Sequence, residues 1–115
     1  MENKKLITVE ASMENLDKIT SFVEAFLDDY ACPMKIAMKI LLCVEELYAN
    51  VVNYAYGSRG GNCTIELEGK AYETEHEVCI CMRDQGVPFD PLRRKTRISR
   101  YLRMKEKSAD LVFTW

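Results

Sequence analysis

Glu46, Asn50 and Asn53 are polar residues in an otherwise apolar stretch, and their spacing could support chemistry. Glu46 and Asn50 are four residues apart, so on a helix their side chains project from one face, one turn from each other. Asn53 adds a second amide near that face. Carboxylate and amide oxygens suit a Mg²⁺ ion that keeps several waters and is shared with substrate phosphates. A solvated polar stripe is the alternative interpretation of this spacing.

A second candidate site lies where an apolar strand-like stretch ends at Asp84, with Gly86 two positions later. An Asp-x-Gly turn is weak evidence alone, because Asp often bonds its own backbone in tight turns and Gly supplies a positive φ there. In combination with the helix motif, the turn becomes a much more specific signal.

Hydrophobic periodicity predicts the elements that must position these residues. Helical spacing of apolar residues follows Ser12, a typical N-cap, and a second helix begins near Pro33, because proline suits the first turn of a helix. Alternating patterns predict strands. The predicted elements are a strand over 6–11, a helix ending near Tyr30, a second helix from Pro33 to Ala55, and strands over 63–70 and 77–83 joined by a loop. The order β-α-α-β-β predicts an α+β fold, a two-layer sandwich of antiparallel sheet and helices.

The two motifs together resemble the N box and first glycine box of the gyrase, histidine kinase and MutL class of ATPases. The turn that begins at Asp84 is especially similar to the anti-sigma-factor serine kinase branch; it reads Asp84-Gln85-Gly86-Val87-Pro88-Phe89-Asp90-Pro91. The resemblance covers residues 1–91 and implies a Bergerat-type ATP-binding fold. One departure is Tyr54, where family members often have His, and it puts any role for that position in doubt.

The resemblance implies roles for five residues and two cofactors, ATP and Mg²⁺. Glu46 would act as general base and Asn50 would hold Mg²⁺, with Asn53 beside them in the cofactor site. Asp84 would accept a hydrogen bond from the adenine amino group, while Gly86 would let the base approach the backbone. Phosphoryl transfer from ATP needs mainly positioning and charge neutralisation, which such a site provides.

Composition fits one folded domain, with 48% hydrophobic and 30% charged residues in 115. The chain has no apolar run long enough for a bilayer and no secretory signal, so we expect a cytoplasmic protein without a membrane role. Five cysteines, an odd number, favour reduced thiols over a disulfide framework. Cys79 and Cys81 have no second pair at ligand spacing, which argues against zinc.

Charge divides the chain near Leu92 into residues 1–91 and a basic tail over 92–115. Eight basic and two acidic residues give the tail a net charge of +6, which leaves −8 for the rest of a chain whose net charge is −2. The tail contains no glycine, so it cannot form the second glycine box with which the family cradles phosphates. We therefore expect a fold that is incomplete at the C-terminus.

A frameshift near Leu92 would explain the tail. When the third base of each codon is grouped with the first two of the next, residues 107–115 can be read as Ile-Gly-Gly-Leu-Gly-Ile-Tyr-Met, which is the missing glycine box. Without that box and the closing strands, we expect weak or no kinase activity and, because apolar faces and sheet edges would be exposed, poor solubility.

Three functional interpretations remain open. The resemblance implies an ATP-dependent serine/threonine kinase that binds a sigma factor and phosphorylates an anti-anti-sigma partner, and it allows a homodimer. Loss of the phosphate loop favours a second interpretation, a non-catalytic protein-binding module. Direct nucleic-acid binding by the basic tail is disfavoured, because aromatic residues are sparse in the tail and the body is acidic.

Overall fold

The computed structural model describes residues 2–56, 61–84, 102–105 and 108–115. A five-stranded antiparallel sheet has the order β1-β2-β3-β5-β4, and two helices pack on one of its faces. The elements are β1 (Glu2–Glu10), a short 3₁₀ turn (Met13–Asn15), α1 (Leu16–Asp29), α2 (Met34–Asn50), a π-helix (Val51–Tyr56), β2 (Asn62–Ala71), β3 (His76–Asp84), β4 (Leu102–Lys105) and β5 (Ser108–Thr114). The α+β sandwich predicted from the sequence is confirmed.

The core lies between the helices and the inner face of the sheet. Alternate residues of β2 are buried, as the two-residue period of a strand requires when one face is covered. The helices contribute apolar residues at three- and four-residue spacing. The fully buried large side chains are Ile19, Phe26, Leu27, Ile40, Leu47, Tyr48, Ile65, Leu67, Ile80, Met82 and Leu111.

The turn between the helices closes α1 through a left-handed residue, Ala31, whose φ is 50°. The N–H of Ala31 donates to the carbonyl oxygen of Asp28 at 3.1 Å, and the N–H of Cys32 donates to that of Leu27 at 3.2 Å. These two bonds form a Schellman motif, which satisfies carbonyls that a helix end leaves without partners. The chain then turns into Pro33, which precedes α2 as the sequence predicts.

Close contact between helix layer and sheet depends on Gly69 in β2. A Cβ atom placed on Gly69 would overlap the ring of Tyr30, closer than Cβ atoms approach other atoms in proteins. The buried Tyr30 ring also lies 5.2 Å from the ring of Phe26, measured between centroids. The absence of a side chain at Gly69 therefore lets the end of α1 lie directly against the sheet.

Two strands in the tail correct the expectation that the closing strands are missing. Residues of β5 pair with β3 from Glu77↔Thr114 to Arg83↔Ser108, and β4 pairs with β5 in turn. Beyond β5, Trp115 exchanges two backbone hydrogen bonds with His76, of 2.6 and 3.0 Å. The physical reason for this pairing is that residues two apart on a strand share one face, so Leu111 and Phe113 both face the core. The missing strands therefore no longer support the expectation of poor solubility, which stays a prediction.

The other predicted elements agree with the structure to within a few residues. Ser12 caps the 3₁₀ turn, with its hydroxyl accepting a hydrogen bond from the Glu14 N–H at 3.1 Å, and α1 follows. The strand predicted over 6–11 begins four residues earlier in the structure. Within the described part of the chain, no helix combines the length and apolar character needed to cross a membrane.

Candidate functional site

Helix α2 carries Glu46 and Asn50 on its four-residue row, and both turn away from solvent. Asn50 is 8% exposed, and Glu46 is half-buried with its Oε2 atom fully buried. A solvated polar stripe would leave these groups in water, so that interpretation does not describe this pair. Buried polar groups are costly unless they are satisfied, which makes their position on this helix a notable feature of the fold.

Asn53 lies in the π-helix that extends α2, and its side chain is exposed. A π-helix has hydrogen bonds five residues apart, so its wider turn changes the angular spacing of the residues that follow Asn50. The structure therefore does not bring Asn53 into the buried environment of Asn50. Short π-helical segments within helices occur frequently at functional sites.

Tyr48, between the two candidate residues, fixes α2 against the end of β1. Its side chain is fully buried, and its hydroxyl donates to the carbonyl oxygen of Ser12 at 2.7 Å and accepts from the Ser12 N–H at 3.1 Å. The carbonyl oxygen of Glu10 lies 3.3 Å from the same hydroxyl. Burial raises the pKa of Tyr48. The apolar periodicity identified Tyr48 as core, but its hydrogen bonds could not be inferred without the path of β1.

The second motif begins at the end of β3. Asp84 is the last residue of that strand, and its Cα pairs with Cys63 of β2. The Asp84 side chain and Gly86 lie outside the described residues, so the distance from Glu46 to the adenine-binding candidates stays a prediction. Strand β3 nevertheless ends where the sequence places the glycine-containing loop.

The donor set on α2 fits a Mg²⁺ ion that is shared with a nucleotide. The buried amide and the buried carboxylate oxygen lie on one helix row, and both offer hard oxygen donors of the kind that Mg²⁺ prefers. Among the described residues, no group of three or more His, Cys, Asp or Glu is arranged to hold a metal. Asn50 would hold such an ion, to which nucleotide phosphates and water would supply further ligands.

The outer face of the sheet carries a separate polar cavity of about 310 Å³. Glu66 pairs there with Lys4 at 2.8 Å and with Arg83 at 2.6 Å. The Cys81 thiol donates a hydrogen bond to Asp110, and burial, this bond and the carboxylate charge raise the pKa of Cys81 to about 12. This protonated thiol is unsuited to nucleophilic chemistry. The lining residues are Lys4, Glu66, Glu68, Cys79, Cys81, Arg83 and Asp110.

Comparison with known proteins shows to which family the chain belongs. No curated protein matches the chain. The model of one family, described as the histidine kinase-like ATPase domain, matches residues 9–107, a range that includes α2, β3 and the first part of the tail. The change of frame near Leu92 stays a prediction. The matched range covers most of the 115 residues and agrees with the observed sandwich of helices on an antiparallel sheet, so the chain belongs to the histidine kinase-like ATPase domain family.

Proposed function

We propose that this chain is an anti-sigma regulatory factor that binds ATP and has serine/threonine kinase activity on an anti-anti-sigma partner. Family membership suggests ATP-binding regulation with kinase or ATPase activity. The finer assignment is supported by the similarity of the segment from Asp84 to Pro91 to the anti-sigma-factor kinase branch. The sigma factor would be bound through protein contacts, without a nucleic-acid or membrane surface.

The burial of Glu46 and Asn50 on one row of α2 carries the proposal. Surface side chains of this polarity ordinarily remain in water, because desolvation of a carboxylate or an amide is costly. A pocket that excludes water strengthens electrostatic interactions with a phosphate and with the proton of an acceptor hydroxyl. The burial of the pair supports the roles of base and metal ligand that we propose for it.

The proposed mechanism assigns one task to each residue. Glu46 would accept the proton of the acceptor hydroxyl as the hydroxyl oxygen bonds to the terminal phosphorus of ATP, while the bond from that phosphorus to the bridging oxygen breaks and ADP leaves. Asn50 would hold Mg²⁺, which when bound neutralises charge on the phosphates. Asp84 would accept a hydrogen bond from the adenine amino group, and Gly86 would allow the base to approach the backbone.

Loss of the second glycine box lowers the expected activity. Residues 93–115 contain no glycine, so they cannot supply a cradle of backbone N–H groups for the phosphates in the family's way. We therefore expect phosphoryl transfer to be impaired while the adenine and Mg²⁺ half of the pocket persists. A non-catalytic protein-binding module is the second candidate function, and this missing loop is the observation that favours it.

The test is a titration with a fluorescent ATP analogue, with and without Mg²⁺, followed by transfer of labelled phosphate to anti-anti-sigma proteins of the same genome. We expect Asn50→Ala to weaken Mg²⁺-dependent binding at least about tenfold, because the metal loses its protein ligand. We expect Glu46→Gln to retain binding and to lose about 10²- to 10⁴-fold of whatever transfer the chain performs, as removal of a general base does.

Neighbouring residues of the same type provide matched controls. Glu45 is exposed, and Glu45→Gln should leave binding and transfer unchanged. Asn53→Ala should weaken binding less than Asn50→Ala, since Asn53 is exposed. ATP binding without any transfer would select the non-catalytic module. Absence of Mg²⁺-dependent nucleotide binding would overturn the proposal.

A further inference from the structure

Helix α2 presents a row of apolar side chains that leads into the candidate site. Met34 is 78% exposed, Met38 65% and Leu42 39%. These residues are four apart, and the same row continues to Glu46 and then to Asn50, which is 8% exposed. Four residues turn a helix by about 40° beyond a full circle, so the row winds steadily from solvent into the interior. Met34, Met38 and Leu42 form the apolar ridge, which is therefore continuous with the candidate site residues Glu46 and Asn50.

Such a ridge is unusual for the outer face of a helix. Single exposed apolar residues are ordinary on protein surfaces, but three successive members of one row are not, since the outer face of an amphipathic helix is normally polar. All three belong to the exposed large hydrophobic residues of the described chain. The neighbouring helix α1 shows the normal pattern, with exposed positions such as Asp17, Lys18 and Glu24. Flexible methionines are common on surfaces that bind protein segments.

Charge beside the apolar ridge indicates the character of its partner. Lys35 and Lys39 follow Met34 and Met38, and both are exposed. Within the described part of the chain neither lysine takes part in an ion pair of 4.0 Å or less. A partner with carboxylates beside its apolar side chains would match both features, and electrostatic complementarity of this kind sets orientation and association rate.

We propose that the apolar ridge docks the protein that accepts the phosphoryl group, through an amphipathic helix of that protein with acidic residues on its flank. The inference rests on the proposed function. At 1.5 Å per residue, Glu46 lies about 6 Å along the axis from Leu42 and about 18 Å from Met34. A helix seated on the ridge thus brings a serine or threonine at its end to the base, and binding energy from remote contacts orients the reacting hydroxyl.

Binding measurements test the ridge without requiring catalysis. Purified anti-anti-sigma proteins and sigma factors of the same genome are titrated against the full chain, saturated with a non-hydrolysable ATP analogue and Mg²⁺. We expect Met38→Glu and the pair Lys35→Glu with Lys39→Glu each to weaken binding of an anti-anti-sigma protein at least about tenfold, a loss typical of interface anchors. Binding of the fluorescent ATP analogue should stay within about twofold of wild type.

Exposed residues elsewhere provide the controls. Leu6→Gln changes a 61% exposed apolar residue on β1, and Lys18→Glu reverses an exposed charge on α1, so neither should alter partner binding. Unchanged anti-anti-sigma binding in Met38→Glu would overturn the proposed docking site, and so would an effect of that substitution on sigma-factor binding alone. The proposal would also be wrong if the ridge bound a second copy of this chain, or if the wild-type chain bound no anti-anti-sigma protein. Nucleotide binding by the Asn50 and Glu46 variants reports separately on the proposed function.

Discussion

At the residue scale, the two polar sites of this protein use burial for opposite purposes. On α2, the carboxylate of Glu46 and the amide of Asn50 lie on one helix row and are withdrawn from solvent. On the outer face of the sheet, burial and a nearby carboxylate hold the Cys81 thiol in its protonated form. The first arrangement suits a metal and a proton acceptor, whereas the second makes a potentially reactive group inert.

Cys81 gives a prediction about pH. Its pKa in the folded protein, about 12, lies above the ordinary value of 9.0, so the folded state retains a proton that the unfolded chain releases first. The resulting stabilisation is complete below pH 9 and is lost as the pH rises towards 12. Asp110→Asn removes the carboxylate charge, so the pKa of Cys81 should fall and alkylation of this thiol by iodoacetamide at pH 9 should become faster.

Mass spectrometry of the labelled peptides can follow the rate at Cys81 in both proteins. Cys32, whose pKa is raised by burial and by Asp28, is the internal reference and should react at the same rate in both. Equal Cys81 rates in wild type and Asp110→Asn would show that the carboxylate does not hold the proton.

At the scale of elements, the sequence predicts whatever depends on periodicity. It places α1, α2, β2 and β3 to within a few residues, and it puts Glu46 and Asn50 on one helix row. Which way that row faces could not be predicted, because the row rotates by about 40° per step and the core is defined by distant strands. The π-helix likewise lies within an apparently continuous apolar pattern.

The missed strands show a different limit. Charge dominates the interpretation of the tail, yet Leu111 and Phe113 lie two residues apart, the spacing at which strand residues share one face. Basic residues concentrated over 93–107 obscure that short signal. The left-handed turn at Ala31 escaped prediction because this conformation is typical of glycine, and alanine gives no local indication of it.

Ala31→Gly tests the energetic cost of that turn. A non-glycine residue in the left-handed region costs about 1–2 kcal/mol, part of which glycine forfeits through greater freedom in the unfolded chain. We expect the free energy of unfolding to rise by about 0.5–1 kcal/mol, measured by urea denaturation. The matched control, Ala25→Gly at an exposed position within α1, should lower it by about 1 kcal/mol. A loss of stability in both variants would contradict the prediction.

At the scale of the whole molecule, the tail contributes two of the five strands of the sheet. Residues 92–115 differ in charge from the rest of the chain, and they lack the glycine box that the resemblance calls for. Even so, β5 lies between β3 and β4 and contributes buried side chains to the same core as α1 and α2. The tail, which lacks the second glycine box, therefore stabilises residues 1–91, which resemble the kinase.

Leu111→Ala tests this dependence, because Leu111 is fully buried opposite Ile80 of β3. Removing a buried leucine side chain costs about 2–5 kcal/mol, the sum of lost transfer free energy and a residual cavity. Since marginal stability is typical of a domain this size, a large part of the total would be lost. Denaturant unfolding should show a lower midpoint.

Thr114→Ala is the control, since Thr114 is exposed on the same strand and its replacement should change the free energy of unfolding by less than about 0.5 kcal/mol. If the tail did not pack against β3, Leu111→Ala would change the free energy of unfolding as little as the control does. A large effect at Leu111 that also weakens binding of the fluorescent ATP analogue would show that the tail supports the nucleotide site through the common core, although it supplies no phosphate loop.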